Sequence, residues 1–374
     1  MSYDFFFGGG RNTLPEIASK YFFTSLRCKL FYSLHISLHC ECAKKVNSEI
    51  DISSLTFFGG KMYTVFIDGK EGTTGLKIFE RFKNRSDIEI IQIDEEKRKD
   101  PKERSRLINE SDYTFLCLPD DAAREAVSLC TNPSTKIIDA STAHRTNPEW
   151  AYGFPELSQE FRKKIEVSKR VAVPGCYASG FISMAYPLIK SKILPPDYPV
   201  SFHAVSGYSG AGKKAVIQYE NPDRFFELSS PRLYALTQKH KHLPEMQKIS
   251  GLEFEPIFNP YICDYYSGMS VTLPLHTRLL SKKVTLKDVW LMFSNHYASS
   301  KFVHTEPLMG EGVLPEPFIA ANTLSGTNNM QIFVYGNDER IMITSRFDNL
   351  GKGASGAAVQ CMNIMMGIDE GTGL

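Results

Sequence analysis

The sequence predicts an α/β protein in which a Rossmann-type, doubly wound parallel sheet is joined to a second α+β domain with a mostly antiparallel sheet. From Met62 onwards, short apolar strands alternate with amphipathic helices, the pattern of a parallel sheet covered by helices on both faces. After about residue 195 the predicted strands become longer, and two of them flank a hairpin-like connection at residues 336–339. A chain of 374 residues is long enough for two such domains.

Composition excludes several classes of protein. The chain has 43 Lys and Arg against 42 Asp and Glu, so no net charge attracts it to nucleic acid or to an anionic membrane. It has no run of about 18 uncharged apolar residues, which a membrane-spanning helix needs. Its eight cysteines are scattered without a C-x-x-C pair, which indicates free thiols in a reducing compartment. We therefore expect a cytoplasmic protein that binds neither nucleic acid nor membrane.

Residues 1–61 differ in character from the rest of the chain. Arg27 and Lys29 interrupt the apolar stretch from Tyr21 to His39, which argues against a signal peptide or a membrane span. Met62 opens the first clear strand pattern. We expect Met62 to be the true start and the preceding residues to be an upstream translation or a dispensable extension. A small docked N-terminal element is the alternative.

Four apolar runs predict the strands of the first sheet. They are Val65–Ile67, Ile88–Ile93, Tyr113–Leu118 and Lys136–Asp139. Helical patterns follow the first and third runs, at residues 76–82 and 122–129. The stretch 353–363 is rich in small residues and is expected to form a helix that packs back on this sheet. We assign residues 62–175 and 346–374 to a dinucleotide-binding domain.

Three glycines lie where the first strand becomes the first helix. Gly69, Gly72 and Gly75 have the spacing G-x-x-G-x-x-G, with Thr73 and Thr74 between the last two. Glycine here allows a tight turn and a close approach to a pyrophosphate, whose charge the helix N-terminus favours. The spacing differs from G-x-G-x-x-G, so a tight strand–helix turn without a ligand is the alternative. Its place in a βαβ repeat favours nucleotide binding.

The end of the second strand should select the dinucleotide. Asp94 can accept a hydrogen bond from a ribose 2′-hydroxyl, which favours NAD. Lys97, Arg98 and Lys99 can bind a 2′-phosphate, which favours NADP. A solvated run of charges is a third interpretation, and these residues alone leave the choice open.

Longer strand patterns predict the second sheet. They are Val200–Val205, Met269–Leu275, Met330–Tyr335 and Arg340–Ser345. Between the second and third of these, Thr285 and Asp288 have the spacing of a capping box at the start of a helix. We assign residues 176–345 to this second domain.

Cys176 is the strongest candidate for a catalytic residue. It follows an apolar strand and a Pro-Gly pair, and it begins a predicted helix. Unpaired N–H groups and the positive end of the helix dipole favour a thiolate there. This arrangement is typical of covalent catalysis on a carbonyl or acyl group. A buried structural cysteine is the alternative.

A nucleophilic cysteine usually needs a histidine for proton transfer. Of the nine histidines, His240 and His242 stand in the one dense cluster, which ends at Glu245. No further group at ligand spacing accompanies them, so we expect no metal site. An exposed polar turn is the other interpretation of this cluster.

Two segments are candidates for binding an anion. Lys213 and Lys214 end a glycine-rich loop that follows a predicted strand but lacks the spacing of a P-loop. Ser141 to Arg145 follows the fourth strand, at the edge of the sheet where such folds bind ligands. Arg145 suits a bidentate pair with a carboxylate, and a surface salt bridge is equally compatible.

Eight stretches in order carry a family resemblance. They are residues 66–75, 117–126, 139–145, 152–156, 173–177, 206–210, 240–245 and 350–354. Through them the chain from Met62 to the C-terminus resembles the N-acetyl-γ-glutamyl-phosphate reductases of arginine biosynthesis, in their shorter, type 2 form. Residues 1–61 match nothing in that family.

The resemblance implies a semialdehyde dehydrogenase-like fold, shared with aspartate-semialdehyde and glyceraldehyde-phosphate dehydrogenases. It implies a homo-oligomer, dimer or tetramer, assembled through the second domain. Cys176 would attack N-acetylglutamyl phosphate, release phosphate and form a thioester. NADPH would reduce the thioester to the semialdehyde, with His240 as the acid–base group and His242 as the alternative.

The resemblance also implies ligand contacts. The positions implied for the cofactor are Gly69, Gly72, Thr73, Thr74, Gly75, Lys97, Arg98 and Asn349. The positions implied for the substrate are Ser141, Arg145, Lys213 and His242. The family's preference for NADP favours Lys97, Arg98 and Lys99 over Asp94 at the ribose.

Other functions remain open at this point. An aspartate-semialdehyde dehydrogenase would use the same thiol chemistry on a shorter acyl phosphate. A carrier-bound substrate of lysine biosynthesis is a further possibility within the enzymes. A catalytically silent NADP-binding sensor is the alternative from another class.

Overall fold

The chain forms two β-sheets in the computed structural model, which describes residues 61–308 and 318–374. The expectations for residues 1–60, including the extension hypothesis, lie outside the described residues. None of the described helices is both long and apolar enough to cross a bilayer.

The first sheet is parallel throughout. Its strands are Tyr63–Asp68 (β1), Ile88–Ile91 (β2), Tyr113–Leu116 (β3), Lys136–Asp139 (β4), Ala151–Tyr152 (β5) and Arg170–Ala172 (β6). The helices between them are Thr73–Phe82 (α1), Pro101–Glu110 (α2), Asp120–Leu129 (α3) and Gln159–Val167 (α4). The spatial order is β2-β1-β3-β4-β6-β5, and every neighbouring pair is parallel. The predicted doubly wound parallel sheet is confirmed.

The order of these strands creates a place for a ligand. β2 and β3 lie on opposite sides of β1, so the chain reverses direction across the sheet at the carboxyl end of β1. Open α/β sheets bind ligands in the crevice at such a switch point. Asp68 ends β1, and the glycine loop begins at the next residue.

The second sheet is mixed, with antiparallel pairs in the majority. Its strands are Ser201–Gly207 (β7), Arg232–Leu233 (β8), Ile257–Cys263 (β9), Met269–His276 (β10), Val303–Thr305 (β11), Met330–Gly336 (β12) and Arg340–Phe347 (β13). The order is β11-β12-β13-β10-β7-β9-β8, and only the β11–β12 and β7–β9 pairs are parallel within the described residues. The predicted β12–β13 hairpin is present, with Gly336 at a φ of +110° in its turn. The mostly antiparallel second sheet is therefore confirmed.

Helices bury one face of this second sheet. They are Cys176–Lys190 (α5), Leu243–Ser250 (α7) and Leu286–His296 (α8), whereas Lys213–Glu220 (α6) follows β7 and contributes no residue to this core. Alternate residues of β10, among them Val271 and Leu273, point into the core that α5 fills from the other side. The predicted capping box is present, since Thr285 and Asp288 bond each other's backbone N–H at the start of α8. α5 thereby gains a rigid support along its length.

The C-terminal segment returns to the first sheet, as the sequence predicts. A π-helical turn, Gly351–Ser355, leads into a helix at Gly356–Met366 (α9). Ala358 and Met362 of α9 lie in the same core cluster as Val65 of β1. π-helical turns are rare and are frequent at functional sites. No local sequence pattern predicted this π-helical turn.

Candidate active site

Cys176 is the first residue of α5 and opens into a cavity of about 200 Å³. Residues next to the first sheet and residues next to the second sheet both contribute polar side chains to the cavity wall. These side chains are Thr73, Thr74, Arg145, Tyr177, Tyr234, His240, Lys241, His242 and Asn349. The tertiary structure thus brings the predicted cysteine, both predicted histidines and two residues of the glycine loop to one place.

Burial, not the helix terminus, dominates the chemistry of the free thiol. Desolvation raises the pKa of Cys176 to about 11, although the backbone N–H of Tyr177 and the charge of Arg145 act in the opposite direction. The expectation of a resting thiolate, drawn from the helix N-terminus alone, is therefore corrected. Loss of hydration destabilises the thiolate by more than the Tyr177 N–H and the Arg145 charge stabilise it. The resting nucleophile is a neutral thiol.

The two histidines are neutral as well. Burial, helped by the charges of Lys241 and Arg145, lowers the pKa of His240 to about 4. Burial also lowers the pKa of His242 well below its usual value. Nδ1 of His240 accepts the backbone N–H of His242 at 3.2 Å, so the neutral ring carries its proton on Nε2 and presents a hydrogen-bond donor. Within residues 61–308 and 318–374, the buried Nδ1 of His242 has no hydrogen-bond partner.

Glu245 organises the residues around the cysteine. Its side chain is 2% exposed. Oε1 accepts the backbone N–H of Gly175 at 2.9 Å and the hydroxyl of Tyr152 at 2.7 Å, and Oε2 accepts Nη1 of Arg145 at 3.1 Å. The carboxylate therefore fixes the residue that precedes the nucleophile. Sequence reasoning quoted Glu245 within the histidine cluster but gave it no role. Its position in the sequence could have indicated this role, because Glu245 lies three residues after His242, on the same face of the helix.

Arg145 is largely occupied by the protein itself. Besides Glu245, its guanidinium donates to the carbonyl oxygens of Val173 at 2.8 Å and Ala140 at 3.0 Å. It lines the cavity, but its charge is paired with that of a buried carboxylate. A substrate carboxylate would therefore share this cation with Glu245.

The two other predicted anion-binding residues lie elsewhere. The hydroxyl of Ser141 donates to Asp139 at 2.8 Å, and its backbone N–H donates to the same carboxylate. Lys213 begins α6 and does not line the cavity around Cys176. Lys241, which the sequence analysis did not single out, lines that cavity without an ion pair among the described residues.

The glycine loop has the shape that a dinucleotide needs. Gly69 has a φ of +89°, and a Cβ there would lie 2.4 Å from the carbonyl oxygen of Cys117. A Cβ on Gly75 would lie 2.5 Å from the carbonyl oxygen of Gly69. Gly72 caps α1 without a side-chain bond, so the N–H groups of the first turn are free to bind a pyrophosphate. Only glycine fits the two crowded positions, and the loop leaves its anion-binding face open.

A cleft of about 490 Å³ extends from this loop across the end of β2. Nζ of Lys70 lies 2.6 Å from Oε1 of Gln92 in this cleft, and Nη1 of Arg98 lies 3.7 Å from Oε1 of Glu95. The charged and amide side chains that line the cleft are Asp68, Lys70, Glu71, Gln92, Glu95, Arg98 and Lys99. Asp94 and Lys97 do not line the cleft, and they lie 3.6 Å apart as an exposed ion pair. Of the three predicted cations, the structure brings Arg98 and Lys99 to the cleft and leaves Lys97 outside it.

Asn349 borders the cysteine cavity from the end of β13. Its Oδ1 accepts the backbone N–H of Gly268 at 2.8 Å, and its amide donates to the hydroxyl of Ser209 at 3.0 Å. The side chain is therefore held rigidly between the two loops that precede β10 and α6. Its place in the cavity wall agrees with a position beside the cofactor.

Comparison with known proteins agrees with the fold. The model of the semialdehyde dehydrogenase NAD binding domain matches residues 64–165, and that of the semialdehyde dehydrogenase dimerisation domain matches residues 176–349. Among solved structures, aspartate semialdehyde dehydrogenase from Francisella tularensis superimposes with a TM-score of 0.61, covering 82% of this chain and 100% of its own, at 16% identity. The fold and the cysteine site thus define a dehydrogenase of the semialdehyde type, which uses a nicotinamide cofactor and assembles into oligomers.

Closer relatives narrow the class. N-acetyl-gamma-glutamyl-phosphate reductase 2 of Pseudomonas putida is 44% identical over 81% of this chain and 96% of its own length. The protein of the same name from Nostoc is 44% identical over 83% of this chain and 98% of its own. N-acetyl-gamma-glutamyl-phosphate reductase of Burkholderia cenocepacia is 43% identical over 81% and 97%. The chain belongs to the N-acetyl-gamma-glutamyl-phosphate reductase family.

Proposed function

We propose that this protein catalyses the NADPH-dependent reductive dephosphorylation of N-acetyl-L-glutamyl 5-phosphate to N-acetyl-L-glutamate 5-semialdehyde, a step of arginine biosynthesis. The observation that carries the proposal is the shared cavity. Cys176, the ring of His240 and the threonines of the dinucleotide loop line one space of about 200 Å³. The names of the relatives supply the substrate.

In the acylation step, the sulfur of Cys176 attacks the acyl carbon and the C–O bond to phosphate breaks. Because the thiol is neutral, its proton must leave as the thioester forms, and it ends on the departing phosphate. Nε2–H of His240 donates to the acyl oxygen and stabilises its developing negative charge. Glu245 takes no part in the bond changes of this step. Its hydrogen bond with the Gly175 N–H fixes the start of the helix that carries the sulfur.

Reduction uses the same groups. A reduced nicotinamide, held by the glycine loop, would supply the hydride that reduces the thioester. His240 again stabilises the oxygen, and collapse of the resulting thiohemiacetal breaks the C–S bond and returns the thiol with a proton from solvent. We assign catalysis to Cys176 and His240, with His242 and Arg145 completing the wall beside them. The narrow cavity between the two sheets' loops supports this assignment because it limits access of water to the thioester.

NADP is the proposed cofactor. Lys70, Arg98 and Lys99 give the cleft at the end of β2 three cations, while Asp94, the residue that suits NAD, lies outside it. A ribose 2′-phosphate in this cleft would meet these cations and the amide of Gln92, with the carboxylates of Asp68, Glu71 and Glu95 also in the lining. The proposed set replaces Lys97 by Lys70.

Lys241 is our candidate for an anionic group of the substrate, which carries a carboxylate and a phosphoryl group. Arg145 is paired with Glu245, and Lys213 and Ser141 lie away from the cavity wall. Among the described residues lining this cavity, Lys241 therefore offers a positive charge without a carboxylate partner.

Assembly and location complete the proposal. We place the cofactor domain at residues 62–175 and 346–374 and the catalytic, oligomer-forming domain at 176–345. A homodimer or homotetramer is supported by large exposed apolar side chains near the edge strand β8, with Phe225 75% and Phe226 88% exposed. The described cysteines are free thiols, which agrees with the cytoplasm.

The test is the reverse reaction: reduction of NADP by N-acetylglutamate semialdehyde, with and without phosphate. We expect strict phosphate dependence, loss of activity in Cys176→Ser and full activity in the control Cys263→Ser. The cofactor should still bind to Cys176→Ser. Oxidation of aspartate semialdehyde instead, or oxidation without phosphate, would contradict the proposed substrate or the acyl phosphate route. Binding of NADPH without any turnover would favour the sensor.

A further inference from the structure

Two stretches of the family resemblance that the reaction leaves without a role, residues 152–156 and 350–354, meet in a buried ion pair. Nζ of Lys352 lies 2.7 and 2.9 Å from the two carboxylate oxygens of Glu156 and 2.6 Å from Oε1 of Gln360. The two charged side chains are 2% and 5% exposed. An ammonium has three donors, and here each has an acceptor.

The side chains around the ion pair also form hydrogen bonds and close contacts. Nε2 of Gln360 donates to Glu156 and to Glu370, both at 2.8 Å, and the ring of Phe154 lies 5.0 Å from Nζ of Lys352. Burying two charges is costly, and well-packed apolar side chains often give equal or greater stability. Net stability therefore does not explain the pair. Its directional bonds do something that apolar packing does not, which is to fix one backbone geometry.

That backbone is the π-helical turn against the nucleophile. Gly353 follows Lys352, and a Cβ on Gly353 would lie 2.9 Å from Cβ and 3.3 Å from Cα of Cys176. Leu350, Gly353 and Ala354 line the cysteine cavity. A displacement of the turn by a few tenths of an ångström would be transmitted to the cysteine through this contact.

The location of this contact is also significant for the fold. The chain passes from the first sheet to the second at residues 173–175 and returns at residues 348–355. The two passages touch where Gly353 meets Cys176. Glu156 lies in the turn Pro155–Leu157 that precedes α4 of the first sheet, so the ion pair ties the returning passage to that side.

We propose that Lys352 and Glu156 are positioning residues of the reductase, whose ion pair sets the π-helical turn, and through Gly353 the sulfur of Cys176, in the geometry for attack. This inference rests on the function proposed above. Neither residue lines the cavity, so both act through the turn.

The test compares Lys352→Met/Glu156→Gln, which removes both charges at similar volume, with wild type and a control. The control, Lys301→Met/Asp369→Asn, removes an exposed ion pair of similar length, with Nζ 2.6 and 2.7 Å from the two carboxylate oxygens. Each variant is assayed for melting temperature, for kcat and KM in the phosphate-dependent reverse reaction, and for alkylation of Cys176 by iodoacetamide. Glu156→Asp, which keeps both charges but shortens the carboxylate side chain by one methylene, provides a second variant should the double variant not fold.

For the double variant we expect kcat to fall at least about tenfold, the scale for a reacting group displaced by part of an ångström. KM for NADP and phosphate should stay within about twofold, because the cofactor loop and cavity wall are retained. The alkylation rate of Cys176 should change in the same variant, and the control should match wild type in all readouts.

A purely structural pair would lower the melting temperature and leave kcat and alkylation of the folded protein unchanged, which would overturn the inference. A rise in KM alone would overturn it too, since it would indicate a binding role. If wild type shows no phosphate-dependent turnover, the proposed function fails. The alkylation comparison then still decides whether the pair positions the thiol.

Discussion

Glu245→Gln is the substitution that most directly probes the support of the cysteine. The carboxylate accepts three hydrogen bonds, from Gly175, Tyr152 and Arg145, at 2.9, 2.7 and 3.1 Å. The glutamine amide has one oxygen, which accepts hydrogen bonds, and one NH₂ group, which donates them. The NH₂ group must therefore face at least one of these three donor groups, where no hydrogen bond can form. Arg145, whose side chain is 7% exposed, would also lose its counter-charge. Breaking a buried pair in this way costs about 3–5 kcal/mol.

The expected result is a large loss of thermal stability. At about 2–4 °C per kcal/mol, the melting temperature should fall by about 6–20 °C in scanning calorimetry. The control is Glu166→Gln on α4, whose carboxylate is 37% exposed and pairs with a lysine at 3.1 Å. An exposed pair contributes about 0–1 kcal/mol, so this control should shift the melting temperature by no more than a few degrees.

A second variant separates the charge from the geometry. Arg145→Met/Glu245→Leu removes both charges, so part of the lost stability should return, as it does for other buried pairs replaced by apolar residues. Activity should remain low, because the Gly175 N–H still lacks its acceptor. Equal melting temperatures for Glu245→Gln and Glu166→Gln would refute the role given to this carboxylate.

Three further results are expected. Gly353→Ala should lower kcat about tenfold or more by pressing on Cys176, whereas Gly153→Ala, whose Cβ would lie 3.0 Å from a different cysteine sulfur, should affect only the melting temperature. Alkylation of Cys176 in the free protein should accelerate with pH up to about 11, because burial raises the pKa of the thiol; a plateau near pH 7 would contradict a neutral resting thiol. Lys241→Met should raise KM for the acyl phosphate about tenfold with little change in KM for NADPH, and Lys239→Met should change neither; equal effects of the two would remove Lys241 from the substrate site.

Much of the fold follows from local patterns in the sequence. The alternation of short apolar strands with helices predicted the parallel sheet, and the longer strands with the 336–339 turn predicted the antiparallel hairpin. Thr285 and Asp288 marked the start of α8. These features are determined by side-chain periodicity, turn chemistry and capping, which act over a few residues. The same holds for the glycine loop, whose three glycines follow the first strand directly.

Local sequence patterns predicted only part of the functional site. Cys176 and the histidine cluster stood out by residue type and neighbours, but nothing local indicates that residues 64 positions apart share one cavity. Glu245 and the Lys352–Glu156 pair acquire roles only through partners distant in the sequence, and Lys241 acquires one only through the cavity that it lines. For a similar reason, Lys70 and not Lys97 lines the cleft, because the path of the chain after β2 decides which ammonium group faces it.

The clearest difference concerns the state of the thiol. The sequence determined that Cys176 begins a helix, and a helix N-terminus by itself favours a thiolate. The tertiary structure decided the outcome, because the surrounding segments remove water from the sulfur and raise the pKa of Cys176 to about 11. Local sequence specifies the backbone and its dipoles, whereas desolvation depends on all the atoms that fold around a group, and only the complete structure brings those atoms together.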